Sequence, residues 1–322
     1  MAIQDRAESE YHFADQDRMV ALLDRLAPTE GYTLSPLPDV RFLRSNRPLC
    51  RVPVLYDPGI VIVCQGRKRG YLGDRVYCYD ARHYLAVSVP VPFTMETDAS
   101  EREPLLAIYM HLNFTVAADL MLQIDQLKTD DGSRAKPESL MSTPMDRKLS
   151  ESVLRLLEAM GDPMEAQLLG PALMREIYFR VLTEAQGGAL RSALAMRGQF
   201  GKIARAIRRI HATFNRPLTV EQLASESGMS VPAFFSHFRS VTNTSPKQYQ
   251  KSLRLHQARL LMMRNNMTVA AACLDVGYES ASQFSREFKR LFGLSPVDEV
   301  RRMKSHFGVP PAQPAAIYIS SH

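Results

Sequence analysis

Apolar positions recur at helical spacing in residues 12–26, where Met19, Leu22, Leu23 and Leu26 share one face and Pro28 and Gly31 follow as stop signals. From residue 39 to 112 the period changes. Short runs rich in Val, Ile and Tyr (Val40–Leu43, Gly59–Cys64, Tyr71–Leu72, Arg75–Tyr79, His83–Val89 and Leu105–Leu112) alternate with turn residues. Gly73-Asp74 fits a two-residue hairpin turn, and the even spacing predicts a small sandwich or barrel. Residues 127–146 are polar and predict a surface loop. Two helices are expected next. One carries Leu149, Val153, Leu156, Leu157 and Met160. The other opens at Gly170-Pro171 and carries Leu173, Met174, Ile177, Tyr178, Val181 and Leu182. That wide stripe suits either core packing or a dimer seam. Residues 305–322, with Pro310, Pro311 and Pro314, predict a flexible tail.

Between Gly198 and Lys304 the pattern repeats itself. Thr219-Val220 and Gly228 return as Thr268-Val269 and Gly277 at an offset of 49, and Phe234, Phe238 and Ser245-Pro246 return as Phe284, Phe288 and Ser295-Pro296 at an offset of 50. Each copy has the grammar of helix-turn-helix. A Thr caps a short helix, a small residue (Ala224 or Cys273) allows close crossing, and a glycine supplies the left-handed turn. Ser230 or Ser280 then caps a second helix, whose two Phe point inward. The joining segment, Ser245 to Met262, is expected to be a helix of roughly 25 Å. With the offset of each unit, it would place two recognition helices about 34 Å apart, one turn of DNA. An upstream helix, with Ile203, Ile207, Ile210 and Phe214 inward and Lys202, Arg205, Arg208 and Arg209 outward, would close the first bundle.

Charge then separates the two halves. The whole chain has 322 residues and a net charge of +6. Residues 199–304 hold 17 Lys and Arg against 7 Asp and Glu, a net of +10, whereas residues 1–198 hold 23 against 27, a net of −4. The asymmetry points to a polyanion partner for the C-terminal half. Lys247, Lys251, Arg254 and Arg259 on and around the joining helix, with Arg239, Lys289 and Arg290, are the expected phosphate contacts. A composition of 45% hydrophobic and 23% charged residues excludes wholesale disorder. No apolar run approaches the ~20 residues of a membrane span, and the first residues lack the apolar core of a signal peptide, so a cytoplasmic protein is expected.

The tandem repeat resembles the AraC/XylS family of bacterial transcription regulators from Ile203 to Arg302, most closely over Gly277–Pro296. The resemblance implies two three-helix units in adjacent major grooves, with base readout at Pro232, Phe235 and Ser236 in the first unit. In the second it falls on Ala281, Ser282, Ser285 and Arg286. Pro232 and Phe235 cannot hydrogen-bond to base edges, which leaves thymine-methyl contact for them and makes Ser236 and His237 the polar candidates. Arg286 suits either a guanine edge or a phosphate. Residues 40–112 are similar to the cupin-like N-terminal domain of one AraC subgroup, through Leu55–Gly59, Cys64–Lys68, Leu72–Arg75 and Tyr84–Pro92. The implied fold is α+β and multidomain: an N-terminal cupin-like β-barrel with flanking helices and a C-terminal all-α tandem helix-turn-helix. The expected divisions are residues 1–30, 31–126, 127–197, 198–304 and 305–322. The implied partners are double-stranded DNA, RNA polymerase, a small-molecule effector and a second copy bound through the N-terminal domain and helices 147–186.

The alternative is a barrel-based small-molecule enzyme with an accessory basic domain. No His-x-His pair, Gly-x-Ser-x-Gly elbow, dinucleotide fingerprint or phosphate loop occurs, so no catalytic residue, metal or cofactor is expected. Tyr56, Tyr71, Tyr77, Tyr79, Tyr84, Tyr109 and His111 are the candidate lining of an effector pocket, with barrel packing as the competing reading. Cys50, Cys64 and Cys78 are candidates for redox or electrophile sensing, set against buried, inert thiols.

Overall fold

The computed structural model describes residues 15–127, 135–184, 187–195 and 198–306; the predicted tail from 307 onward lies outside them. A first helix, α1 (15–26), precedes a run of antiparallel strands. These are β1 (Gly31–Leu34), β2 (Val40–Ser45), β3 (Leu49–Tyr56), β4 (Gly59–Gln65), β5 (Arg67–Leu72), β6 (Arg75–Asp80), β7 (His83–Val87), β8 (Val91–Asp98) and β9 (Leu105–His111). They form one curled sheet, a half-barrel, in the order β1-β2-β9-β4-β7-β6-β5-β8-β3. The turn at Gly73-Asp74 joins β5 to β6 with Leu72 opposite Arg75, as the sequence predicts.

A tenth strand, β10 (Leu140–Pro144), lies inside the stretch expected to be a loop. It pairs with β7 from Leu140↔Val87 to Pro144↔His83. Its five residues, LMSTP, are too short and polar to show a period. The strand exists because β6 reaches β7 only at Asp80↔His83 and leaves that edge open to a partner.

Four helices follow on one face: α2 (Phe114–Leu127), α3 (Arg147–Ala159), α4 (Pro163–Thr183) and α5 (Gly187–Leu194). The start of α4 differs from expectation. Asp162 caps it by accepting from Met164 N and Glu165 N, Pro163 occupies the first turn, and Pro171 lies inside the helix. An Asp cap followed by proline outcompetes Gly170-Pro171 as a start signal. Gly170 serves packing instead, since a Cβ there would meet Leu37 Cδ1 at 2.7 Å.

The C-terminal half comprises α6 (Gly198–Ala212), α7 (Val220–Glu226), α8 (Val231–Thr242), α9 (Pro246–Arg264), α10 (Val269–Asp275), α11 (Ala281–Phe292) and α12 (Pro296–His306). No helix among the described residues is long and apolar enough to cross a membrane.

Alternation along the strands gives the sheet two buried faces. Ile60, Ile62 and Ile108 meet Met19, Leu149, Leu157 and Ile177 of the flanking helices. Val61, Val63 and Tyr109 face the other way, into a core that continues through Ile203, Ile207, Phe238, Tyr249 and Leu253. The first helix-turn-helix unit therefore shares a hydrophobic core with the sheet. The second has its own, built from Leu255, Met262, Cys273, Phe284, Phe288 and Phe292.

Candidate nucleic-acid interface

Each helix-turn-helix unit is assembled by local chemistry. Thr219 and Gln222 form a reciprocal capping box at the start of α7, and Thr268 caps α10. Gly228 and Gly277 take φ of +59° and +81°, which turns the chain into the next helix. Ser230 caps α8 and Ser280 caps α11. Both of these helices end in a left-handed residue, Asn243 at one and Gly293 at the other. That cap also repeats at the offset of 50, but Asn and Gly differ as letters while sharing tolerance of positive φ, so the repeat is easily missed there.

Phe234, Phe238, Phe284 and Phe288 are fully buried. Their burial turns the intervening residues outward. Pro232, Phe235 and Ser236 are exposed on α8, with His237 half-buried; Ala281, Ser282 and Arg286 are exposed on α11, with Ser285 half-buried. Phe235 is 42% exposed, which leaves its ring available on this face. Arg239, Lys247, Arg286, Lys289 and Arg290 are all exposed. None of the five makes a side-chain hydrogen bond or ion pair with another described residue.

Other basic residues do structural work, contrary to the expectation from sequence. Arg254 donates from Nε to Phe214 O (2.6 Å), from Nη1 to Gly277 O (2.9 Å) and from Nη2 to Arg216 O (3.1 Å). It clamps the loop between α6 and α7 of the first unit to the turn of the second. Lys251 is paired with Glu287 of α11 at 2.8 Å. Burial opposes ionisation of Glu287, but hydrogen bonds from Lys251, Tyr278 and Gln283 outweigh it and hold the carboxyl down to about 2. Arg259 is fully buried against Glu299 at 3.3 Å. On α6, Lys202 donates to Gly228 O and Arg209 pairs with Glu226. These partners are carbonyls and carboxylates distant in sequence, which composition cannot reveal. Together they make α9, about 28 Å long by its 19 residues, a rigid spine between the two units.

The sheet side is divided. Tyr56, Tyr77, Tyr79 and Tyr109 belong to the core shared with the first unit. Tyr84 points to the opposite core and donates to Glu184 at 2.9 Å. Tyr71 lies on the outside, under the Arg51 guanidinium at 3.7 Å. His111 packs edge-on to Tyr109. The seven candidates thus do not line one pocket. A surface cleft of about 310 Å³ beside β6 and β10 includes only Tyr77 of the set, with Arg75, Val76, Glu138, Met141 and Ser142. Lys68, which carries no motif signal in the sequence, is buried with its amine 3.4 Å from Tyr56 Oη, and burial holds its pKa down to about 7. Cys64 is buried and its thiol is pushed up to about 12 by burial, whereas Cys50 and Cys78 are exposed.

Side-chain bonds among the described residues cross directly between the halves. Tyr249 donates to Pro90 O at 2.9 Å, and Ser139 donates to Val241 O at 2.5 Å. The Tyr249 oxygen also meets His211 Nε2 at 2.7 Å; burial lowers the His211 pKa to about 3, so its ring is neutral.

Two capped helix-turn-helix units on one spine, seated against a curled sheet, define the class of tandem helix-turn-helix proteins with an appended N-terminal domain. Residues 36–189 match the AraC-type transcriptional regulator N-terminus, and residues 223–303 match a helix-turn-helix domain. The chain belongs to the AraC family of helix-turn-helix transcriptional regulators. It is 26% identical over 152 residues to the regulator ArgR of Pseudomonas aeruginosa, across 46% of this chain and 45% of that one. It is 35% identical over 95 residues to AlkR of Acinetobacter baylyi, across 30% and 31%. The chain thus spans less than half the length of these two relatives. Among solved structures, the unsaturated fatty acid-bound ToxT of Vibrio cholerae has a similar fold, with a TM-score of 0.57 and 11% identity over 87% of this chain and all of that one.

Proposed function

We propose that this protein is a cytoplasmic, non-enzymatic regulator of transcription that reads duplex DNA with α8 and α11 in adjacent major grooves. The observation that carries the reading is the set of five exposed, unpartnered cations around two capped helices whose mutual placement is fixed by α9. Arg286, Ser282, Ser285 and Ala281 face the bases of one half-site; Phe235, Pro232, Ser236 and His237 face the other. Arg239, Lys247, Lys289 and Arg290 contact phosphates and position the protein without reading sequence. Phe235 and Pro232 select by contact with thymine methyls.

A second copy is the proposed partner of α4. Met164, Leu168 and Phe179 are large apolar side chains exposed along that helix, at spacings of 4 and 11 that keep them on one face. In such a dimer the N-terminal unit, which shares its core with the first reading unit, would pass an effector's signal to DNA binding and to RNA polymerase. Selection of bound sequences from a random DNA pool tests the reading. It should enrich a bipartite site with the two half-sites one helical turn apart. Enrichment of no sequence at all would refute it. Leu168→Glu, checked by light scattering, should convert a dimer to a monomer without unfolding it.

A further inference from the structure

The two helix-turn-helix units are held by different means. In the second, the support lies within the C-terminal half. Glu287 of α11 accepts from Lys251 of α9 at 2.8 Å, from Tyr278 of the turn at 2.7 Å and from Gln283 at 3.1 Å. The first unit cannot build that network. At the repeat offsets, Tyr278, Gln283 and Glu287 correspond to Met229, Ala233 and His237. Met229 and Ala233 offer no hydrogen-bond donor, and no carboxylate stands at 237 to draw in Lys251.

The first unit takes its support from the N-terminal half instead. A helix leaves its last four carbonyls without intrahelical donors. At the end of α8, Arg239 O accepts from Asn243 N in the left-handed cap, and Val241 O accepts the Ser139 hydroxyl at 2.5 Å. Ser139 stands just ahead of β10, 102 positions before its partner, and both residues are buried. It is itself pinned: Ser88 N donates to Ser139 O at 3.0 Å, and Ser88 Oγ donates to Glu138 O at 2.7 Å. Two residues on, Pro90 O accepts the hydroxyl of Tyr249 in the first turn of α9. The β5–β6 hairpin closes over the same cap, where a Cβ added at Gly73 would come 2.5 Å from Asn243 Nδ2. These parts form one bracket around the last turn of α8 and the first turn of α9. By contrast, α11 passes near β3, but its Phe284, Phe288 and Phe292 pack in the second unit's own core.

We infer that Ser139 and the tip of the β5–β6 hairpin are positioning residues for the first half-site alone. The inference rests on α8 and α11 as the reading helices. Phe234 and Phe238 anchor the inner face of α8, so loosening its last turn tilts Pro232, Phe235 and Ser236 against their bases without detaching the helix. Apolar contact with a thymine methyl forfeits much of its attraction over a gap of about 0.5–1 Å, which makes this half-site sensitive to tilt. A change in the N-terminal bracket therefore alters sequence preference at one half-site, and Glu287 preserves the other.

The test uses the full-length protein and two readouts. The first is amide hydrogen exchange without DNA. Ser139→Ala, and Asn243→Gly, which gives α8 the glycine cap that α11 has, should each speed exchange along α8 about fivefold, the loss of one ordinary hydrogen bond, and leave α11 unchanged. Glu287→Ala should do the reverse. The second readout is affinity for duplexes with single-base changes in one half-site or the other. Ser139→Ala should make the mismatch penalties of the first half-site about threefold smaller and leave those of the second as they are in the native chain, with Glu287→Ala again the mirror image. Exchange that rises equally in both helices overturns the inference, as do mismatch penalties that fall alike in both half-sites or in neither. A native chain without mismatch penalties at either half-site sinks the DNA reading itself. The exchange result then stands alone: acceleration confined to α8 upholds the bracket, and no acceleration refutes it.

Discussion

Arg254 is the residue on which the geometry of the proposed DNA reading turns. Replacement by Met keeps the stem and removes three hydrogen bonds from a charged donor. Gly277 O loses its side-chain donor, whereas Phe214 O and Arg216 O still accept from Gln250 Nε2, each at 3.1 Å. A hydrogen bond to a charged group contributes about 1.5–3 kcal/mol, so one bond lost outright and two partly covered amount to about 2–4 kcal/mol. That energy fixes the α6–α7 loop of the first unit to the turn of the second. The assay is affinity for duplexes in which the two half-sites are separated by the native distance or by one or two extra base pairs, each of which rotates one half-site by about 36°. The native chain should lose at least tenfold in affinity on a two-base-pair insertion. Arg254→Met should bind the native site about 30-fold more weakly, the equivalent of about 2 kcal/mol, and should scarcely distinguish the spacings. A variant with native affinity and an unchanged spacing preference would refute the clamp.

Two other expectations concern single residues and pH. Arg286→Ala should cost about 1–3 kcal/mol at one base pair and relax specificity there, whereas Arg239→Ala should weaken all sequences alike and reduce the salt slope by about 1; competition binding against single-base variants separates the two outcomes. His211 and His256 are buried and neutral, with burial as the main cause of their lowered pKa values. The unfolded chain takes up protons below pH 6.5 that the folded chain refuses, so stability present above that pH is lost as pH falls. The loss is about 1.2 kcal/mol for each imidazole between pH 7 and 5.5, readable as a lower urea midpoint. A midpoint that does not move would contradict the neutral assignment.

The parts of this structure that were legible in the sequence are those set by local chemistry. Thr219, Gly228, Phe234 and Phe238, and their copies at Thr268, Gly277, Phe284 and Phe288, each act within one turn or one helix face, and a repeat doubles the signal. The hairpin at Gly73-Asp74 was legible for the same reason. What escaped depends on partners far along the chain. Arg254, Lys251 and Arg259 look like surface cations until Gly277 O, Glu287 and Glu299 are brought to them. Strand β10 owes its existence to an open edge on β7. The tyrosines that suited either a pocket lining or barrel packing are divided between two cores, Tyr79 in one and Tyr84 in the other. The shared core of sheet and first unit had no sequence signal, because each side's apolar positions also fit a self-contained domain.

A fixed set of exposed cations is proposed to hold this chain on duplex DNA. Once Lys251 and Arg254 are assigned to the scaffold, four proposed phosphate contacts remain on and beside α8 and α11: Arg239, Lys247, Lys289 and Arg290. The most direct measurement is the salt dependence of binding to a selected bipartite site. Four neutralised phosphates predict a slope of log K against log salt of about −3.6 per bound chain, or an affinity about 150-fold lower at 200 mM than at 50 mM. A binding constant that is flat across that range would contradict the account.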